Sequence, residues 1–359
     1  MYSATQTQLP ALENNQDRIF KFDFLRAVAM IFVVAVHCLV VIDFQDTFSL
    51  FYFQTMQAVF FTCNALFFML SGKFALKPKS DLGNYYKQKV KNILIPMLLF
   101  FLIRTVYEEL CKTNPYDGIV EGFFLNTLGG LRDTEYWYLF ELIGNLMLAP
   151  LLGKAFAAFT ENQHKLISIL IYVFHIFMFG CAVAGIVFGY EFPLSGWSFY
   201  FYLGYSIEYI IKKPNAFLYL TGALALMITV LLKYKGITVY VHDISPIFTV
   251  LVVAMYFFLS QCSGLIFEKL KGVIRFIAKH SFTVYLTHMM ILEQMQRIMP
   301  KVTGSLSILY HILFTVIITA LSLLIAFVLD NYVIKFAQIG VEKIYLYSKK
   351  RNKKEETEI

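Results

Sequence analysis

Residues 21–42 read KFDFLRAVAMIFVVAVHCLVVI, and the stretch from Phe24 to Ile42 is apolar except for Arg26 and His37. As an α-helix, such a run is long enough to cross about 30 Å of hydrocarbon. Further apolar windows follow, and together they give ten candidate spans at roughly 24–43, 49–71, 92–110, 136–157, 166–188, 196–211, 216–233, 246–261, 273–293 and 307–335. Two of these, 196–211 and 246–261, are short enough to be tilted or broken. The sequence therefore predicts an all-α polytopic membrane bundle of about ten transmembrane helices.

The composition supports this fold class. Of the 359 residues, 58% are hydrophobic and 15% are charged, whereas about 25% of an average soluble domain is charged. This balance excludes a soluble globule, a disordered chain and a coiled coil. The five cysteines are scattered and show no metal-like spacing, so we expect no metal site. The chain also lacks the HExxH, GxSxG and P-loop motifs of three common hydrolase classes.

The distribution of basic residues predicts the orientation of the bundle. With a cytoplasmic N-terminus, 24 of the 31 Lys and Arg residues fall on the cytoplasmic side, six fall outside, and Arg104 falls within a span. This asymmetry follows the positive-inside rule. We therefore expect both termini to be cytoplasmic in a multi-pass cell-membrane protein. The net charge of +7 then reflects anionic lipid headgroups, and no nucleic-acid partner is expected.

Three regions can be distinguished along the chain. Residues 1–17 form a polar N-terminal segment without the apolar core of a signal peptide. Residues 18–345 form the membrane domain, and residues 346–359 form a basic cytoplasmic tail. The sequence shows no soluble domain, so any activity should lie within the bundle or at its faces.

Ionisable residues in the first span are candidates for function, because charges inside a membrane are costly. Asp23, Arg26 and His37 fall on one helical stripe, since the step of eleven positions from Arg26 to His37 makes three turns plus about 20°. This places Arg26 at the cytoplasmic edge and His37 about 16 Å deeper, near the bilayer midplane. The alternative is that Asp23 and Arg26 only anchor the helix, while His37 bonds to a neighbouring helix.

A second polar stripe lies in the ninth span. Ser281, Tyr285 and His288 follow an i, i+4, i+7 spacing and share one helical face. A second deep histidine above a polar stripe favours a polar cavity shared with His37. Elsewhere, Arg104 and Glu108 have the spacing of an ion pair, and Trp137 shares a face with Glu141. We expect His175, His311 and Asp330 to be isolated.

Five motifs in this order resemble the acyltransferase-3 family of integral membrane O-acyltransferases. The first helix carries the family's basic residue, ten intervening residues and histidine, here Arg26 and His37. The other four motifs are FFMLSGKFAL (67–76), YYKQKVKNILIPMLLF (85–100), EYWYLFELIGNLMLAPLL (135–152) and HSFTVYLTHMMIL (280–292). Asn92 and Glu135 depart from the family pattern, which often has Arg and His at these positions.

The resemblance implies transfer of an acyl group, commonly acetyl, from cytoplasmic acyl-CoA to a hydroxyl of a cell-surface or lipid-linked carbohydrate. His37 would be the general base or a relay, and Arg26, held by Asp23, would bind donor phosphates or polarise the thioester. The remaining expected contacts are Lys87, Lys89, Lys91, Ser281 and His288 for the donor, and Trp137 and Glu141 for the sugar. The lysines have an equally good reading as membrane anchors.

Acetyl-CoA would be a donor substrate, and no permanently bound cofactor is expected. The other expected partners are the glycan acceptor and membrane lipids, in a membrane that is expected to be the bacterial plasma membrane. The main alternative is a polysaccharide exporter or a proton-coupled transporter, which would also place Asp, Arg, His and Glu within its spans.

Overall fold

The computed structural model describes residues 15–186, 194, 196–236, 245–300, 302–304 and 306–343. These residues form helices and no β-strand. The helices are α1 (Asn15–Val40), α2 (Thr47–Phe60), α3 (Thr62–Ala75), α4 (Leu82–Lys89), α5 (Ile95–Leu110), α6 (Gly118–Leu125), α7 (Trp137–Ala157), α8 (Glu161–Val183), α9 (Trp197–Ile210), α10 (Ala216–Tyr234), α11 (Pro246–Cys262), α12 (Glu268–Ile298) and α13 (Leu306–Val328). Most of the N-terminal segment and the whole basic tail lie outside the described residues.

Three π-helical turns extend helices in the described residues: one, Asn126–Gly130, follows α6, and the other two lengthen candidate spans. Val90–Leu94 joins α4 to α5, so that Leu82–Leu110 is one continuous rod. Leu329–Ile334 continues α13, and helical structure then runs to Lys343. Conversely, the second predicted span is divided, because Phe61 separates α2 from α3.

The predicted all-α polytopic membrane bundle is confirmed. Each of the ten predicted windows falls on a helix, and eight helical segments in the described ranges are long and apolar enough to cross a membrane. Of the other two, α9 has 14 residues, or about 21 Å, and α12 has 31 residues but begins with a charged stretch. The exact number of spans, and the location of the termini, remain predictions.

Four of the polar contacts between helices join helix ends that the predicted alternation puts on the same side. The pairs are Lys73 with Glu208 (2.5 Å) and Lys91 with Glu342 (3.0 Å) on the predicted inside, and Arg104 with Glu293 (2.9 Å) and Ser307 with Asp43 (3.1 Å) on the predicted outside. Because charged groups are most easily placed at the faces of a membrane, this pairing agrees with a repeated in-and-out path.

Short polar side chains begin several of these helices. Asp46, Asp81, Thr160, Asn215 and Ser245 each accept a hydrogen bond from a backbone N–H in the first turn of the helix that follows. The first N–H groups of a helix have no partner within the helix, so these caps fix where each helix starts.

The centre of the bundle depends on close contact between α3 and α9. A Cβ on Gly204 would lie 1.9 Å from the carbonyl oxygen of Met69, and one on Gly72 would lie 1.7 Å from that of Phe201. Small residues allow such backbone contact between membrane helices. Residues 199–207 of α9 are buried on every side, so this short helix is surrounded by protein and has little contact with lipid. Its packing holds α3 beside α1, on which the first polar stripe lies.

Candidate functional site

Two histidines from distant parts of the chain face each other in the bundle. The rings of His37 on α1 and His288 on α12 have centroids 5.1 Å apart, with an angle of 52° between their planes. His288 is fully buried. The predicted stripes of the first and ninth spans therefore do meet, as the expected shared cavity requires.

Hydrogen bonds fix the protonation of the His288 ring. Nδ1 lies 2.7 Å from the carbonyl oxygen of Tyr285 and 3.2 Å from that of Val284. A carbonyl oxygen only accepts, so Nδ1 carries the proton, and in the neutral ring Nε2 is left with a lone pair. Nε2 is buried and has no hydrogen-bond partner among the described residues. This nitrogen is therefore free to accept a proton or a hydrogen bond.

A cavity of about 100 Å³ lies against His37. This volume is room for a few water molecules or for a reacting group. Its polar and aromatic wall is formed by His37, Asn64, Glu135, Trp137 and Tyr285. Trp137 also packs 4.8 Å from the ring of Trp197.

His37 is close to one end of α1. His37 lies in the last turn of α1, three residues before the end of the candidate span Phe20–Val40. His37 is thus nearer to the predicted outer end of this span than to its middle, and its depth in the bilayer remains a prediction. The cavity is at the end of α1 that is predicted to face outward.

Asp23 and Arg26 lie at the other end of the same helical stripe. Nη1 of Arg26 is 3.2 Å from Oδ1 of Asp23, and both side chains are partly exposed. Asp23 also interacts electrostatically with Arg275 of α12. This end of the bundle therefore offers positive charge about 16 Å from His37 along the helix.

Two tyrosine side chains lie close to the histidine pair. The hydroxyl of Tyr138 lies 3.5 Å from Oγ of Ser71. The ring of Tyr138 is 5.7 Å from that of Tyr285, which in turn is 6.0 Å from that of His288. Tyr138 and Tyr285 thus form a line of polar aromatic groups that ends at the histidine pair.

The three lysines predicted to bind the donor lie around the π-helical turn before α5. Lys91 lies 3.0 Å and Lys87 lies 3.9 Å from the carboxylate of Glu342. Lys89 stands over the ring of Tyr85 at 5.3 Å. These contacts attach the lysines to neighbouring side chains at the predicted cytoplasmic face, and their role in donor binding remains a prediction.

The other predicted contact residues are divided between two places. Ser281 is buried and donates its hydroxyl hydrogen to the carbonyl of Ala278, within its own helix. Glu141 is not part of the cavity wall, and it lies 3.8 Å from the exposed Arg132. Of the predicted sugar-binding pair, the structure thus places Trp137 in the wall of the cavity and Glu141 outside it.

The expected Arg104–Glu108 contact is present, and it belongs to a larger network. Nε of Arg104 lies 2.7 Å from Glu108, and its Nη1 lies 2.9 Å from Glu293 and 4.0 Å from Glu135. Tyr107 donates a hydrogen bond to Glu293. Arg104 therefore lies within 4.0 Å of three carboxylates. One of these, Glu135, belongs to the cavity wall.

Two residues that were expected to be isolated make hydrogen bonds to other helices. Asp330 accepts from Thr283 and lies 2.5 Å from Nδ1 of His280. His311 contacts the hydroxyl of Tyr52 and the carbonyl of Ala35. The expectation was wrong because helical spacing within one span cannot show which polar groups meet across helices.

Sequence reasoning did not single out Tyr138 or Glu293, and it noted Glu135 only as a departure from a motif. Tyr138 is uncharged near neutral pH, so a search for ionisable groups within spans passes over it. Glu135 precedes α7, in a connection that was predicted to lie outside the bundle. A signal was available for Glu135, since it lies two residues before Trp137, which was already a candidate.

Among the described residues, no group of three or more His, Cys, Asp or Glu side chains could hold a metal ion. Comparison with protein families gives one match, described as an acyltransferase domain, over residues 19–330. The matched region includes both histidines, the Asp23–Arg26 pair and the whole cavity wall. Neither the curated proteins nor the solved structures give a significant match.

Proposed function

Given that the chain belongs to the acyltransferase-3 family and is a multi-pass membrane acyltransferase, we propose that it transfers an acetyl group from cytoplasmic acetyl-CoA to a hydroxyl of a cell-surface carbohydrate. The main support for this proposal is that α1 has a charged group near one end and the histidine pair near the other. Positive charge lies at Arg26, and the histidine pair lies about 16 Å away. An elongated donor with phosphates at one end and a thioester at the other suits such an arrangement.

The histidine pair supplies the base that the reaction needs. A sugar hydroxyl is a weak nucleophile near neutral pH, and imidazole is the usual side chain that removes its proton. In the proposed step His37 takes the hydroxyl proton while the oxygen attacks the thioester carbon. The carbon–sulfur bond breaks, and the departing thiolate of CoA receives the proton. His288, whose Nε2 has a free lone pair, supports this transfer beside His37.

The charged end would bind the phosphates of the donor. A guanidinium makes forked hydrogen bonds to phosphate, and Asp23 holds Arg26 by an ion pair of 3.2 Å. Lys87, Lys89 and Lys91 would extend this positive surface at the cytoplasmic face. Because salt screens exposed charges, their share of donor binding should depend on ionic strength.

The acceptor would approach from the opposite, outward-facing end. The indole of Trp137, in the cavity wall, would stack on a sugar ring, and Glu141, outside that wall, would bind a hydroxyl of the sugar. A carbohydrate attached to a lipid, or a polysaccharide at the surface of a bacterial plasma membrane, could reach this position without crossing the bundle.

The proposal is tested by acetyl transfer in isolated membranes. Membranes that contain the protein should move label from acetyl-CoA onto an acceptor glycan, and His37→Ala should abolish this activity while expression and insertion remain normal. Cys38→Ser is the matched control, because Cys38 is the next residue but packs in a different cluster, with Val284 and Phe314. Full activity in His37→Ala would remove His37 from the mechanism.

A polysaccharide exporter remains the alternative to this proposal, although the family match favours an enzyme. An exporter has no reason to consume acetyl-CoA. Absence of any acetyl transfer, together with acceptor-independent glycan movement across vesicles, would support the exporter.

A further inference from the structure

Glu135 is a buried acid in the wall of the cavity next to His37. Its side chain is 8% exposed, and its Oε1 has no hydrogen-bond partner among the described residues. A buried polar atom normally has a hydrogen-bond partner, because leaving it unsatisfied is costly. An unsatisfied carboxylate oxygen at the edge of a reaction cavity is therefore well placed to receive a hydrogen bond from a ligand.

The nearest positive charge does not satisfy this acid. Arg104 is 4.0 Å from Glu135, whereas it makes shorter contacts of 2.7 Å with Glu108 and 2.9 Å with Glu293. The network holds three carboxylates for one guanidinium, so its balance is negative. The other charged residues close to Glu135 in sequence are also predicted to lie at the outward end. Asp133 is exposed, and Arg132 lies 3.8 Å from Glu141.

The backbone around Glu135 is fixed against the helix that carries His288. The hydroxyl of Tyr285 donates to the carbonyl of Glu135, and that of Tyr136 donates to the carbonyl of Leu286 at 2.9 Å. Both contacts join residues 135–136 to α12, one turn before His288. These contacts fix the backbone of Glu135 relative to the histidine pair. A group that recognises a substrate has to be held in position in this way.

We propose that Glu135 selects the acceptor: it accepts hydrogen bonds from hydroxyl or ammonium groups next to the reacting hydroxyl, and it excludes sugars that carry a carboxylate or phosphate there. The inference rests on the proposed acetyl transfer to carbohydrate and names the acceptor class for that same cavity. Two like charges a few ångströms apart in a partly buried site repel strongly, whereas a hydroxyl or ammonium group gains a charge-assisted hydrogen bond.

The test compares acceptors that differ only in charge. Full-length protein in lipid vesicles receives acetyl-CoA and pairs of methyl glycosides, each pair being a hexoside and the hexuronide with a carboxylate at the same ring. We expect the wild type to prefer the neutral member by at least about tenfold. Glu135→Gln keeps the shape of the side chain but removes its charge, and it should reduce the preference to less than about threefold, chiefly by raising the rate on the hexuronide.

Glu109→Gln is the matched control, because it removes a negative charge from the same end at an exposed position outside the cavity wall. This control should keep the wild-type preference. Equal rates on both members in the wild type, or an unchanged preference in Glu135→Gln, would overturn the selection by Glu135 while leaving acetyl transfer intact. No transfer to either member by any variant would instead overturn the proposed function on which the inference rests.

Discussion

The rings of His37 and His288 lie 5.1 Å apart, although one belongs to the first long helix and the other to the next-to-last. Backbone carbonyls hold the proton of His288 on Nδ1, so its Nε2 faces the interior as an acceptor. The family resemblance placed His288 in donor binding. Because His288 lies beside His37, at the end of α1 opposite Arg26, we propose instead that it assists proton transfer.

The first prediction tests this role. Replacing His288 with Ala should lower kcat by about 10²–10⁴, while binding of CoA stays within about threefold of the wild type. Steady-state kinetics in vesicles and calorimetry with CoA measure the two quantities. Ser281→Ala serves as a control on the same helix, because its hydroxyl bonds only within α12 and its loss should leave kcat nearly unchanged. A large loss of CoA affinity with normal kcat would instead support the donor-binding role.

The second prediction concerns Arg26. Arg26→Ala should weaken CoA binding by about tenfold or more, because a neutral side chain cannot make the forked phosphate contacts of a guanidinium. Calorimetry of purified protein at two salt concentrations measures the effect, with ATP as a comparison ligand. Arg132→Ala should bind normally, since Arg132 is exposed at the opposite end. If CoA binds no better than ATP to the wild type, the assignment of the charged end to CoA is wrong.

The third prediction concerns the orientation in the membrane. Both termini should be cytoplasmic, and Cys111, at the end of α5 and partly exposed, should be the cysteine most accessible from outside. An impermeant maleimide should label a single-cysteine variant that retains Cys111 in intact cells. A cysteine introduced at Lys79 should be labelled only after the cells are opened. Labelling of Lys79→Cys from outside would contradict the predicted alternation.

Much of the fold follows from the sequence, because length and hydropathy are properties of single segments. Each predicted window falls on a helix, and the i, i+4, i+7 spacing correctly puts Tyr285 near His288. The break at Phe61 and the end of α1 at Val40 were missed, since neither has a proline or a charged residue that marks it. An apolar run shows that a helix can cross the membrane but not where that helix ends.

The site is harder to predict for a different physical reason. Which polar groups meet depends on how the helices are rotated and packed, and one sequence gives only the order of residues on each helix. The pairing of His280 with Asp330, and that of Arg104 with Glu293, are contacts between helices. The resemblance to a family identified His37 and Arg26, but nothing in the helical spacing pointed to Glu135 as part of the cavity wall.

The fourth prediction concerns the packing of α3 against α9. Gly204→Ala would place a methyl group 1.9 Å from the carbonyl oxygen of Met69, so the helices must separate, at a cost of about 1–3 kcal/mol. We expect a clearly lower melting temperature in detergent and a smaller monodisperse fraction. Gly144→Ala is the matched control, because a Cβ there meets nothing within 4 Å. Equal stability of the two variants would show that the α3–α9 contact is not needed.

The fifth prediction uses the burial of Glu135, which lies between the candidate spans. Burial raises the pKa of Glu135 above its usual range, and the nearby guanidinium of Arg104 only partly opposes this. A carboxyl whose folded-state pKa is raised favours folding below its unfolded pKa, and this advantage is lost as the pH rises through the folded value. Above that value, the folded wild type contains a buried negative charge at Glu135. The Glu135→Gln variant has no charge there.

This predicts the sign of the difference in melting temperature between Glu135→Gln and the wild type, measured by tryptophan fluorescence. The melting temperature of Glu135→Gln should exceed that of the wild type at pH 8, and the difference should shrink towards pH 4, where the carboxyl is protonated in both states. Glu109→Gln, at an exposed position, should follow the wild type across the range. A wild type that is more stable than Glu135→Gln at pH 8 would mean that Arg104 more than compensates the buried charge. In that case the free oxygen of Glu135 would be a structural ion-pair partner, held in place by the network and unavailable to a substrate.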